Sequence, residues 1–391
     1  MESTPPLRPQ RIDSIDLLRG IIMVIMALDH ARDFFHHDAA MYDPLDLTQT
    51  TLLLFFTRWI THFCAPLFVF LAGTGTFISL SRGKSKPAMS KFLITRGLWL
   101  IVLEFTVVRF AWTFNLDYAN DIFVQVIWVI GCSMIVLAGL IHFSIRLTAI
   151  FGIAMIAFHN AFDGITPEHA GSFGTLWAFL HVQTMVTLFG NIHLLVFYPL
   201  IPWFGVMAVG FSFGALMAKP EAERRKILIR LGLGLMIIFV VIRAMNMYGD
   251  PRPWSAQNAF SFTILSFLNT TKYPPSLQYL LMTIGPAIFL LPYLEQWKGS
   301  FAQKILIFGR VPMFYYILHI YLLHTISALS MYSRYGPGAF ALSALNLPQD
   351  FGFSLLVAYI AWISVVIMLY PACKWYAEMK KRSKNPLLGY L

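Results

Sequence analysis

Ten apolar stretches of 17 to 26 residues, each set off by a short polar break, run along the chain at about 17–37, 55–80, 94–114, 123–143, 146–162, 194–218, 227–246, 276–294, 311–329 and 352–371. Roughly 20 apolar residues rising 1.5 Å each cross the hydrocarbon core of a bilayer, so each stretch predicts a transmembrane helix. The pattern predicts an all-α polytopic membrane protein with about ten crossings. Two further apolar stretches, Phe173–Phe189 and Ala256–Leu268, need a separate decision. With the N-terminus in the cytoplasm, segments 1–19, 81–96, 142–147, 219–230, 295–310 and 371–391 fall inside and hold 22 of the 29 Lys and Arg residues. Basic residues accumulate on the cytoplasmic side, which places both termini there. A spanning Phe173–Phe189 would flip every later loop and carry Lys219, Arg224, Arg225 and Lys226 outside. It therefore reads as an interfacial or re-entrant helix on the outer face. Ala256–Leu268, held between Arg252 and Lys272, is too short to cross and reads as a second outer amphipathic element. Two such covers predict an occluded outer cavity. The chain shows no repeat at a fixed period, so an inverted-repeat transporter gains no support.

Composition agrees with the pattern. The chain is 58% hydrophobic and 12% charged, with a mean hydropathy of +0.66; a soluble domain carries about 25% charge, so a soluble globule is excluded. The net charge of +10 comes from basic residues that punctuate apolar runs, and it predicts orientation signals and no nucleic-acid partner. Cys64, Cys132 and Cys373 lack metal or redox spacing and are expected as buried small hydrophobes. The Pro-rich start has no small-residue cleavage site, so no signal peptide is expected. The organisation expected is an N-terminal tail over 1–15, one membrane domain over 16–373 and a basic tail over 374–391.

Ionisable residues inside apolar segments are expensive, and each is a candidate site. Arg19 and His30 are eleven residues apart, which returns to one helical face about 16 Å deeper. Asp29 and Asp33 lie one turn apart beside that imidazole, and His37 shares its face. Asp29, Arg32, Asp33, His36 and His37 could equally solvate the outer helix end. The second stretch holds Arg58 and His62, the latter a site residue or a core histidine, followed by Pro66, Gly73 and Gly75. Glu104 and Arg109 form either a structural ion pair or a site. Tyr315 and His319 stand at i,i+4, with His319 at a depth similar to His30; His324 is expected to make a structural hydrogen bond. Cys/His metal spacing, a Walker loop and a GxSxG elbow are all missing from the sequence. A mid-membrane imidazole with nearby carboxylates and a basic inner mouth suits general-base chemistry on an acyl carrier whose anionic end stays in the cytoplasm. It also suits a proton-coupled secondary transporter, and a structural membrane partner without chemistry is the third reading.

Several segments carry a family resemblance. The run Arg11 to Gly20 (RIDSIDLLRG) and Pro66 to Gly73 (PLFVFLAG) resemble motifs of the catalytic region of heparan-alpha-glucosaminide N-acetyltransferase and its bacterial relatives. So does Gly309 to His319 (GRVPMFYYILH), while Lys272 to Ser276 (KYPPS) and Tyr370 to Trp375 (YPACKW) are similar to the bacterial branch. Arg19, ten residues and His30 resemble the Arg-x10-His pattern of the acyltransferase-3 family of membrane sugar acylases. The chain departs from the lysosomal enzyme in carrying His30 in place of an asparagine and His62 in place of an acidic residue, and it lacks that enzyme's large lumenal domain. The family's catalytic histidine falls nearest His36 or His37.

The resemblance implies a transmembrane acyl-CoA-dependent O- or N-acyltransferase that moves acetyl from cytoplasmic acetyl-CoA to a sugar or amino-sugar on the periplasmic side of an inner membrane. Arg19 and Arg96, with Lys91 and Arg310, are expected to hold the phosphates, and no metal is expected. His30 is expected to act as general base or as acyl acceptor, oriented by Asp29 or Asp33, with His36 and His37 as the alternative catalytic histidines. His319 and Tyr315 would complete the far wall, and His62, Tyr315 and Lys272 would meet the acceptor. Segments 38–50, 115–122 and 159–193 contain no Lys or Arg but include Asp43, Asp46, Asp117, Asp121 and Asp163, a lining suited to a neutral or amine-bearing sugar. The partners expected are the lipid bilayer, acetyl-CoA and a carbohydrate acceptor, with a homodimer left open.

Overall fold

Each of the ten apolar stretches contains helix, and a computed structural model describes residues 12–119, 122–337, 350–383, 385 and 388 of the chain. Helix α1 (Asp13–Phe35) opens with Asp13 and Asp16 in its first turn, where carboxylates offset the positive end of the helix. α2 (Leu52–Ile60) runs through a 3₁₀ turn into α3 (Cys64–Ser81), and α4 (Lys86–Leu103) runs through a π turn into α5 (Arg109–Thr113). After strand β1 (Ile122–Val124) come α6 (Val126–Leu140) and α7 (Ile145–Phe158). The chain continues with α8 (Gly174–His181), strands β2 (Thr184–Leu188) and β3 (Ile192–Val196), then α9 (Ile201–Met217) and α10 (Glu221–Met245). It closes with α11 (Phe260–Leu268), α12 (Leu277–Gln296), α13 (Ser300–Arg310), α14 (Pro312–Tyr335) and α15 (Leu355–Arg382).

Among the described residues, six helical stretches are long and apolar enough to cross a membrane: Leu52–Ser81, Ile145–Phe162, Glu221–Met245, Leu277–Gln296, Pro312–Tyr335 and Leu355–Arg382. Their surroundings differ. The span ending α3 and α12 bury 56% and 61% of their most apolar windows in protein, whereas α10 and α15 bury only 22% each. Ile237, Ile238, Val240 and Val241 on α10, and Ile360, Ile363 and Ile367 on α15, face outward. Apolar surface on that scale is compatible with lipid and not with water, so this is an integral membrane protein.

α1 is the hub, packing against α13, α15, α14 and α12. Its contact with α13 is close because two glycines permit it. A Cβ on Gly309 would stand 1.8 Å from the Asp16 carbonyl oxygen, and one on Gly20 would stand 2.2 Å from that of Ile305. α13 was read from the sequence only as part of an inner basic segment, because its eleven residues are too few to cross.

Two expectations need correction. Phe173–Phe189 is not one helix: it is α8 followed by β2, which pairs antiparallel with β3, while β1 pairs parallel with β3. β-branched Val182, Thr184, Val186 and Thr187 favour the extended chain, and Phe189 and Gly190 both take positive φ (50° and 85°), which closes a tight hairpin. The stretches expected to cross at 123–143 and 194–218 therefore begin as strands. Second, of the two readings left open for Glu104 and Arg109, the ion pair is not formed. Glu104 accepts the Gln125 and Trp128 N–H groups (both 3.0 Å) at the start of α6, and Arg109 donates to the Asn115 carbonyl (2.7 Å) and side chain (2.8 Å).

Candidate functional site

Two cavities approach each other along α1. The larger, about 1040 Å³, opens where Arg19, Arg96 and Arg310 meet Lys304 of α13 and Lys374, Lys380 and Lys381 of α15, with Glu378 as the acidic member of the wall. Such a mouth suits a polyanion. Lys91 lies exposed on α4, outside that wall, whereas the α13 and α15 lysines, which the sequence reading left unassigned, stand in it. Arg19 is braced by Asp16 (3.0 Å) and Arg310 by Asp13 (3.4 Å).

The second cavity, about 410 Å³, is lined by Asp29, His30, Asp33, Asp43, Arg58, Trp112, Gln183 and Lys272, among others. Met26, Phe68, Val126 and Tyr316 line both cavities and so form the septum between them. Met26 precedes His30 by one helical turn, which explains why one face of α1 serves both.

In the wall of the second cavity, His30 Nδ1 lies 2.7 Å from His319 Nε2, and the two rings meet edge to edge and nearly coplanar, with centroids 4.9 Å apart and planes 13° from parallel. The hydrogen-bond chain fixes the tautomers. His319 Nδ1 lies 2.9 Å from the Tyr315 carbonyl, which can only accept, so that nitrogen carries the proton and donates it. Nε2 of His319 is then the acceptor for the Nδ1–H of His30. His30 is left with an Nε2 lone pair on a ring that lines the second cavity. His319 is fully buried, and Trp112 packs edge-on against His30 at 4.9 Å.

The other expected site residues fall into place around this pair. Asp29 is held by Arg58 (2.8 Å), Arg32 (2.7 Å) and the Thr61 hydroxyl (2.9 Å), so its carboxylate does not orient His30. Asp33 pairs with Arg32 at 2.5 Å and stays partly open to the cavity. His36 accepts the Ala39 N–H at 3.1 Å and so caps the short helical turn after α1, while His37 Nδ1 donates to the Phe351 carbonyl at 2.5 Å and docks the end of α1 onto the segment before α15. His62 is enclosed in the core, edge-on to Tyr279 at 5.3 Å, and Tyr315 is buried beneath His319. Tyr316, one residue on, reaches the cavities instead. His324 donates to the Ala111 carbonyl at 2.8 Å, the structural bond expected of it.

Lys272 stands in the cavity wall because Asp250 gathers its turn, accepting the Thr271 N–H (2.8 Å) and hydroxyl (2.9 Å) and the Ser276 hydroxyl (2.6 Å). Arg252 joins it there. The lining expected from segments 38–50, 115–122 and 159–193 is thus completed by other loops, which deliver Arg252 and the expected Lys272 to the same cavity as Asp33 and Asp43. Asp46 instead closes its own turn, where hydrogen bonds from the Thr48 side chain and N–H and from Gln49 hold its carboxyl below the usual range. Asp121 lies outside the described residues.

Membrane helices thus carry a basic cavity and a mixed polar cavity that share Met26, Phe68, Val126 and Tyr316, with His30 in the wall of the second. The chain belongs to the family described as heparan-alpha-glucosaminide N-acetyltransferase, catalytic, whose model matches residues 11–248. It is a membrane acetyltransferase of that family. A comparison with curated proteins finds no match. The matched segment carries Arg19, His30 and Arg96, while His319 and Lys272 lie beyond it and enter the site through the fold.

Proposed function

We propose that this protein transfers an acetyl group from cytoplasmic acetyl-CoA to the hydroxyl or amine of a sugar bound on the periplasmic side of an inner membrane. The single observation that carries this reading is that His30, hydrogen-bonded to His319, lines a polar cavity that shares four wall residues with a larger cavity rich in Arg and Lys. Arg19, Arg96, Arg310 and Lys304 would hold the donor phosphates, and the acyl arm would pass between Met26 and Phe68 to the septum. Phosphates need fixed cations, and guanidinium pairs with them in bidentate fashion.

His30 Nε2 takes the proton from the acceptor as it attacks the thioester carbonyl, and returns it to the leaving sulfur. His319 holds the reacting tautomer by accepting from Nδ1, which is the part that a carboxylate plays in other histidine bases. The charge that develops on His30 is met by Asp29, the residue before it, and by Asp33, about one turn further along the same helix. Asp33, Asp43, Gln183 and Lys272 supply hydrogen-bonding groups to the acceptor. Both termini are cytoplasmic on this reading, and residues 16–373 act as one domain.

In purified protein, His30→Ala should abolish acetyl transfer while acetyl-CoA still raises the melting temperature as in the wild type, since mass action reports binding alone. Full activity in His30→Ala, or no stabilisation of the wild type by acetyl-CoA, would overturn the reading. A transporter would be stabilised by its free export substrate and not by acetyl-CoA.

A further inference from the structure

The mechanism leaves unused one group of metal-type donors outside both cavities. His159 and Asp163 flank the 3₁₀ turn that ends α7, and His181 closes α8; one donor atom from each lies within 4.8 Å of the others. The sequence hides this grouping because His181 stands eighteen residues beyond Asp163. We propose that His159, Asp163 and His181 form a zinc site that pins the outer cover of the protein to its membrane helices.

Burial and orientation both favour a bound cation. His159 is 2% exposed and neither of its ring nitrogens completes a hydrogen bond of normal geometry, so a buried imidazole stands without a ligand or a full partner. The Pro275 carbonyl faces that ring, the kind of backbone acceptor that orients a ligating histidine through its other nitrogen. His181 is 1% exposed, and its Nε2 lies 3.8 Å from Asp163 Oδ1. Its ring is clamped by Trp177, stacked at 5.0 Å and within 3° of parallel. Asp163 is oriented too: its Oδ2 accepts from the Asn160 amide at 2.9 Å, which leaves Oδ1 toward the histidines. Asn160 Oδ1 in turn accepts the Leu277 N–H at 2.9 Å, tying the group to the start of α12. Supporting hydrogen bonds of this kind fix ligand orientation at metal sites.

Two imidazoles and one carboxylate are the donor set of borderline divalent ions, zinc foremost, with a fourth position for water. Bond lengths near 2.0–2.2 Å put tetrahedral ligands roughly 3.5 Å apart, so binding requires the three side chains to close by about 1 Å. His181 Nε2 now meets the His159 carbonyl at 2.8 Å and would exchange that bond for the metal, its proton moving to Nδ1. The partly exposed side of Asp163 provides the entry path. His181 precedes by two residues Gln183 of the second cavity wall, so a bound ion would hold that wall in place.

The test uses tag-free full-length protein in detergent, stripped by a chelator and titrated with Zn²⁺ alone, with Co²⁺ as a coloured probe of coordination. One zinc per chain is expected, with visible bands of a nitrogen- and oxygen-ligated Co²⁺ and a raised melting temperature. His159→Ala and His181→Ala should each weaken binding by more than about 100-fold, and Asn160→Ala by about 10- to 100-fold. His193→Ala should bind as the wild type, because His193 is an exposed imidazole of the same outer region bonded to Thr187. Asp163→Asn, nearly isosteric, keeps the test decisive if the alanine variants do not fold. Less than half an equivalent bound by the wild type, or binding undiminished in Asp163→Asn and in His159→Ala/His181→Ala, would overturn the site. Neither acetyl-CoA nor acceptor is present, so the outcome is independent of the catalytic reading.

Discussion

Which nitrogen of an imidazole holds the proton is set by its partners, and a hydrogen-bond chain from the Tyr315 carbonyl through His319 fixes this for His30, the base of the proposed reaction. His319→Ala should therefore lower kcat by about 10²–10⁴-fold with little change in the KM for acetyl-CoA, because the donor phosphates bind some distance away. A steady-state comparison of the two constants checks this, and an unchanged kcat would remove His319 from the mechanism. His36→Ala and His37→Ala should keep kcat within a few-fold of the wild type, since their rings serve backbone groups at the end of α1. At the basic mouth, Arg96→Ala should raise the KM for acetyl-CoA about tenfold or more, whereas Lys91→Ala should leave it unchanged. The two lie on one helix, and only Arg96 faces the cavity, so equal effects would count against the assigned donor site.

Among the elements, α13 shows most directly how backbone proximity shapes the site. It reaches α1 only because Gly309 brings no side chain to the Asp16 carbonyl, and it thereby sets Lys304 and Arg310 in the wall opposite Arg96. Gly309→Ala forces that contact apart and should destabilise the protein by about 1–3 kcal/mol. The loss should be read as a lower melting temperature that acetyl-CoA restores only in part; a variant as stable as the wild type would show the contact to be slack. The same scale explains the segment Phe173–Phe189. Its hydrophobicity is compatible with helix and strand alike, and the strand is favoured by β-branched residues and by a positive-φ turn that pairs β2 with the adjacent β3, which in turn pairs with β1 from earlier in the chain.

For the whole molecule, the distribution of charge makes sidedness measurable. Positions in 219–226 and 376–383 should react with an impermeant thiol reagent, after cysteine substitution, only from the cytoplasmic face, and positions in 165–172 only from the other. External labelling of 219–226 would reverse the orientation. In sealed vesicles of known orientation, labelled acetyl-CoA on the cytoplasmic face should give acetylated sugar only in the opposite compartment. Product on the donor side would mean that the two cavities do not serve separate substrates.

The amino-acid sequence alone determined the membrane class, the places of the helices and the candidacy of Arg19 and His30, because apolar length, basic asymmetry and the 3.6-residue period are local properties. It also placed His319 at the depth of His30. Tertiary structure decided what each group does there. That Asp29 belongs to Arg58 and Arg32, that His62 and Tyr315 are enclosed while Tyr316 lines both cavities, and that Lys304, Arg252 and Lys272 join cavity walls all depend on which helix faces which. The physical reason is that periodicity gives the face of a helix but not its neighbour. The His30–His319 contact, between residues 289 positions apart, exists only once α1 and α14 have packed together.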